Sequence, residues 1–122
     1  MSGRSLLKRI LRDGEKFNMK RIFVSVGMNG REFEDINGDL IRASILIFDN
    51  NVKGCTGDVA VVHNLSCSSP EGSSRLWCLG EAIKQLGECD ACFFCKGWEN
   101  YKGCCAEMAI CQLYGIEVIT EE

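Results

Sequence analysis

A chain of 122 residues with one proline, 46% hydrophobic and 25% charged residues has the composition of one globular domain and leaves no room for a second. Such a chain buries roughly two-thirds of the surface its unfolded form exposes, enough for a core without staples, which argues against disorder. Net charge is −3 but unevenly spread: residues 1–21 carry seven basic and two acidic groups, the rest seven basic and fifteen acidic. An acidic body of this kind argues against a protein that grips a DNA or RNA duplex along its whole face.

Residues 1–18 form a basic arm ahead of a single domain at 19–122. Leu6, Leu7, Ile10 and Leu11 recur at helical spacing, so the arm reads as a docking helix or a frayed terminus. A phosphate or membrane-surface contact, and a translation start mis-set upstream of Met19, stay open. No apolar stretch with a small-residue cleavage site follows, and the longest strongly apolar run, Ala43 to Phe48, falls far short of the ~20 residues of a membrane span. The expectation is a soluble, cytoplasmic protein whose nine cysteines are reduced.

Arg21 to Val26 is apolar and β-branched without clean alternation, as in a strand buried on both faces of a parallel sheet. Gly27-Met28-Asn29-Gly30-Arg31 follows as a loop. Glu32 to about Ile47 predicts a helix from Phe33, Ile36, Leu40, Ala43 and Ile47, against a turn signal at Asn37-Gly38 and a strand-like run from Ser44 to Phe48. Asp49 to Gly57 reads as a loop, Asp58 to Asn64 as a second strand and Leu65 to Gly72 as another loop. Ser73 or Ser74 caps a helix to Leu86, with Leu76, Leu79, Ile83 and Leu86 on one stripe and Gly87 as its stop. Cys89 to Cys95 is a third strand, Lys96 to Lys102 a loop, Gly103 to about Tyr114 a helix ended by Gly115, and Ile116 to Thr120 a fourth strand. This alternation predicts an α/β fold: a flavodoxin-like (Rossmann-like) parallel sheet of four or five strands, right-handed crossovers and helices on both faces. Its ligands bind beyond the carboxyl ends of the strands, near the switch in strand order.

Two loops at that edge carry chemistry. In the first, Gly27 and Gly30 allow close backbone approach and Arg31 supplies a bidentate phosphate partner, unless it is a tight turn with a solvated arginine. In the second, Glu107 lies in the first turns of a helix, where the dipole favours its ionised form and a nucleophile's role, unless it sits on a solvated face. His63 and Asn64 end the second strand at a site edge. Trp98 packs or stacks on a base. Cys89, Cys92 and Cys95 have CxxCxxC spacing, but a strand turns Cys89 and Cys95 one way and Cys92 the other, so they cannot converge on a metal. Cys95 with Cys104 or Cys105 forms a candidate reactive pair at a helix start, where the dipole lowers a thiol pKa. Small buried apolar residues are the plainer reading of the cysteines.

IFVSVGMNGRE (22–32), RLWCLGEAIKQLGECDACFFCKGWENYKGCCAEMAICQLYGIEVI (75–119), and the GW-x4-G-x3-E segment ahead of YGI resemble the nucleoside 2-deoxyribosyltransferase-like superfamily, in particular its small DUF4406 type. The resemblance implies a flavodoxin-like sheet and, often, a homodimer with sites near its interface; no cofactor and no metal is expected. It implies that Glu107 attacks C1′ of a deoxyribose and displaces the base, with Gly103 opening the helix and Glu99 standing near the transferases' acidic proton donor. It also implies that Gly27, Asn29, Gly30 and Arg31 hold a 5′-phosphate, so that a nucleotide is the ligand. The transferases place an aspartate before the helix glycine and a tyrosine at the end of the first strand. Here those places hold Glu99-Asn100-Tyr101 and Ser25-Val26-Gly27. The expected function is nucleotide or deoxynucleotide binding with cleavage or transfer at the N-glycosidic bond; the alternative is a non-catalytic nucleotide sensor or sequestering protein, of the kind a phage encodes.

Overall fold

The computed structural model describes residues 19–52, 59–63 and 74–121. Strands β1 (Lys20–Ser25), β2 (Val59–Val62), β3 (Ala91–Phe94) and β4 (Glu117–Thr120) alternate with helices α1 (Phe33–Val52), α2 (Arg75–Leu86) and α3 (Lys102–Tyr114), and a 3-10 turn at Trp98–Asn100 precedes α3. All strand pairs are parallel, in the order β2-β1-β3-β4. The chain therefore steps outward from β1 in one direction to β2 and in the other to β3, which puts the switch in strand order at the carboxyl ends of β1 and β3. This is a flavodoxin-like (Rossmann-like) α/β fold, with helices on both faces as the alternation of elements predicts.

Strand alternation sorts the core into two layers. Ile22, Val24 and Val26 of the β1 segment join Ala91 and Phe93 against α1, whose Ile36, Leu40, Ala43 and Ile47 recur at four, three and four residues on one stripe. Phe23, Cys92 and Phe94 face the other way, against Ala82 and Leu86 of α2 and Cys111 of α3. No helix among the described residues is long and apolar enough to cross a membrane.

Several boundaries differ from the sequence expectation. Helix α1 runs through Asn37-Gly38 and on to Val52, because burial of four apolar side chains outweighs the roughly 1 kcal/mol cost of an interior glycine. Phe33, expected on the buried stripe, is 63% exposed, and Leu76 of α2 is 75% exposed; both lie in the first turn of their helices, ahead of the first buried positions Ile36 and Ala82. Ser74 is the cap of α2, accepting from Trp77 N at 3.1 Å. Cys89 shares the α2/α3 layer with Cys92 while Cys95 lies in the α1 layer, so the expected grouping of Cys89 with Cys95 is corrected. The reason is that Cys89 precedes β3, in the turn where its N–H bonds Leu86 O, and strand alternation does not govern it. The arm at 1–18, the loop expected at 65–72 and Asn64 lie outside the described residues.

Candidate functional site

Period-two alternation that puts Phe23 in the α2/α3 layer puts Ser25 there too, at the carboxyl end of β1. On α3 the inward stripe is Cys104, Glu107 and Cys111, spaced three and four residues apart. A carboxylate thus occupies a core-facing helical position opposite the one buried hydroxyl of β1. Ser25 Oγ donates to Glu107 Oε1 at 2.5 Å, and Glu107 is 6% exposed. Burial drives the Glu107 carboxyl up to about 7, with the Ser25 hydrogen bond opposing the rise. The sequence expectation that the helix dipole keeps this group ionised is corrected. Glu107 sits beyond the first turn of α3, and loss of hydration outweighs the dipole.

Above Glu107 a cleft of about 770 Å³ opens between α2 and α3 over the end of β1. Its floor is Ser25, Glu107 and the apolar Phe23, Val24, Leu79 and Ala82; Gly27, Met28, Asn29 and Gly30 form one rim, and Arg75, Leu76 and Lys102 approach from the helices. Met28 to Arg31 is a tight turn closed by Arg31 N to Met28 O at 3.1 Å, with Gly30 at φ 75° in the third position, where a side chain is disfavoured. At Gly27 the backbone lies directly under the Tyr101 ring, and a Cβ there meets Tyr101 Cδ2 at 2.1 Å. Tyr101, seated by the 3-10 turn that delivers it, therefore packs on that rim and lines the cleft beside it.

The structure brings Gly27, Asn29, Gly30, Gly103 and Glu107 together in this cleft. The other sequence candidates are elsewhere. Arg31 folds back: Nη1 donates to Gly27 O at 2.9 Å and Nη2 pairs with Asp39 at 2.7 Å. Asp39 also pairs with Arg42 at 2.8 Å, and Arg42 holds Glu121 at 2.7 Å. Glu121 in turn accepts Lys96 N at 2.8 Å, so one charged chain ties the loop after β1 to those after β3 and β4. Hydrogen bonds from Arg42 hold the Glu121 carboxyl below its ordinary value. For Asp39 the desolvating pull upward is overcome by Arg42 and Arg31. Glu99 is exposed on the 3-10 turn and lies outside the cleft lining, as does His63 at the end of β2. Trp98 stacks on Phe94, ring centroids 5.3 Å apart and tilted by 57°, as part of the α2/α3 layer.

The thiols do not fit the reactive pair. Burial pushes Cys95 up to about 12 and Cys104 up to about 11, so the dipole does not prevail at either. Among the described residues no group of three or more His, Cys, Asp or Glu is placed to hold a metal. Sequence reasoning missed Ser25, Tyr101, Arg75 and Lys102 as site residues. The one legible signal was a serine in an otherwise apolar buried strand. Compared with family models, curated proteins and solved structures, the chain matches none.

Proposed function

We propose that the chain binds a nucleotide or deoxynucleotide in this cleft and acts on its N-glycosidic bond through Glu107. The observation that carries the reading is a carboxylate buried on the cleft floor at the strand-order switch, bonded by Ser25 and poised near neutrality. Loss of a base from a pentose passes through an oxocarbenium-like state, which the ionised Glu107 stabilises or bonds at C1′. Exclusion of water at the floor strengthens that attraction. A carboxyl near 7 exists in both forms at physiological pH, the condition under which proton transfer and charge stabilisation are both accessible. Apolar Leu79 and Met28, with the Tyr101 ring, offer surface for a base.

One observation favours the rival, a nucleotide sensor or sequestering protein. Among the described residues Glu107 is the sole carboxylate in the cleft, because Glu99 lies outside it. The test is incubation with ribo- and deoxynucleoside monophosphates and chromatography of any released base. Release by the wild type, reduced at least about a hundredfold in Glu107→Gln, supports the enzyme. Binding without release selects the sensor, and failure to bind any of them overturns both. The resemblance also leads us to propose a cytoplasmic homodimer. Ile41, Ile45 and Phe48, exposed at i, i+4 and i+7 on the outer side of α1, are the surface such a contact would cover. Sedimentation of Ile45→Glu beside the wild type tests it, a dimer that survives the substitution refuting that face.

A further inference from the structure

The two ends of the cleft differ in charge. Its floor is apolar around Glu107, whereas Arg75, the first residue of α2, and Lys102, the first of α3, both line it from the solvent side. Arg31, Arg42, Lys20 and Lys84 are each engaged in an ion pair. Among the described residues Arg75 and Lys102 have none, although the chain as a whole is acidic. Two cations without an ion-pair partner, at the starts of two helices that line one cleft, leave a positive field at its solvent side, away from Glu107. The backbone adds to the field. No side chain caps α3, whose preceding residue Tyr101 makes no side-chain hydrogen bond to the helix, and the space a Cβ would take at Gly103 is open. The first amides of α3 therefore have no side-chain partner, and Lys102, Gly103 and Cys104 all line the cleft.

We infer that Arg75 and Lys102 form an anion subsite that takes a phosphomonoester dianion between the two helices. The inference rests on the nucleotide reading above and deepens it, by assigning the phosphate end of the ligand to α2 and α3 instead of to Arg31, whose guanidinium is spent on Asp39 and Gly27 O. The geometry gives the ligand its orientation. Lys102 opens α3 and Glu107 lies less than two turns further along it, and both line the cleft, so the charged end of a bound ligand lies toward the helix start and its sugar toward Glu107. The phosphate at the mouth then delivers C1′ toward the floor.

The experiment is calorimetry of the intact protein with dAMP, dGMP, dCMP and dTMP and with the four matching nucleosides, repeated on Arg75→Gln, Lys102→Gln and the double variant. Lys84→Gln, on α2 outside the cleft lining, controls for the loss of one positive charge. Expected is a nucleotide that binds wild type and Lys84→Gln alike, loses tenfold or more in each cleft variant, and falls to its nucleoside's affinity in the double. Thermal melts confirm folding, which these exposed positions do not threaten. If a nucleotide binds but neither cleft variant weakens it, or if Arg31→Ala alone does, the subsite is refuted while the nucleotide reading stands. If a nucleoside binds as tightly as its nucleotide, the subsite is likewise refuted. If the wild type binds none of the eight compounds, both fall together.

Discussion

Burial of Glu107 makes stability depend on pH in a direction opposite to that of an ordinary surface carboxylate. Its carboxyl rises from 4.5 to about 7 on folding, so the folded state keeps the proton that the unfolded state has already released. Stability therefore falls as pH climbs from about 4.5 to about 7 and stays at the lower level above that. The shift corresponds to about 3 kcal/mol at pH 8 and about 1 kcal/mol at pH 5. Glu107→Gln keeps an oxygen for Ser25 to bond and removes the ionisation. For a chain of this length, about 4 °C of Tm accompanies each kcal/mol, so the variant should melt about 10 °C higher than wild type at pH 8 and only a few degrees higher at pH 5. Melting curves followed by circular dichroism across that range, with both proteins in the same buffers, measure it. A Tm difference that does not change with pH, or a variant less stable than wild type at pH 8, would falsify the assignment of a buried, ionisable Glu107.

Three other outcomes follow from the geometry. Gly27→Ala drives a methyl into the Tyr101 ring and should cost about 1–3 kcal/mol in chemical denaturation; Gly27→Ala combined with Tyr101→Ala should recover part of that loss, and independent, additive effects would show that the two do not collide. Glu121→Gln should destabilise by at most about 1 kcal/mol, because Arg42 is half-exposed. That stabilisation is present above the unfolded carboxyl value and lost as pH falls through the lower folded value, so the difference between variant and wild type should vanish in acid; a difference that persists there means packing is responsible. Alkylation by iodoacetamide at neutral pH, mapped by mass spectrometry on the native protein, should modify exposed Cys105 well before buried Cys92, Cys95, Cys104 and Cys111. Early labelling of Cys104 would restore the reactive-thiol reading.

The sheet was legible in the sequence because its strands are short apolar runs separated by helical stripes, and each stripe names its own buried face. Where the signals competed, burial decided. Asn37-Gly38 is a turn in isolation, yet Ile36 and Leu40 on either side of it must both reach β1 and β3, and only a continuous helix lets them. Part of the site was legible as well: Gly27, Gly30 and Glu107 were recognisable from loop position and spacing. The rest depends on tertiary distances that spacing does not encode. Arg31 had the chemistry for a phosphate but stands one and two turns before Asp35 and Asp39, and a carboxylate already in reach claims a guanidinium before a solvated ligand does. Arg75 and Lys102 were invisible as a pair, because twenty-six intervening residues separate two helix starts that the parallel crossovers bring to the same edge.

Glu107 stands between Cys104 and Cys111 on a stripe where a leucine or methionine would avoid the cost of burying a carboxylate. Its single hydroxyl partner, Ser25, does not repay that cost, since an amide accepts the same hydrogen bond without an ionisation to suppress. A purely structural role therefore predicts that Glu107→Gln raises the melting temperature at pH 8 and leaves ligand binding and base release unchanged. A functional role predicts that stability and activity move in opposite directions: the variant melts higher at pH 8 while base release, or the binding step that needs the charge, declines. That divergence cannot come from misfolding, which would lower both, nor from a relaxed core, which would lower neither. The same substitution, read by melting and by base release at one pH, thus separates a catalytic group from a merely buried carboxylate on the floor of the cleft.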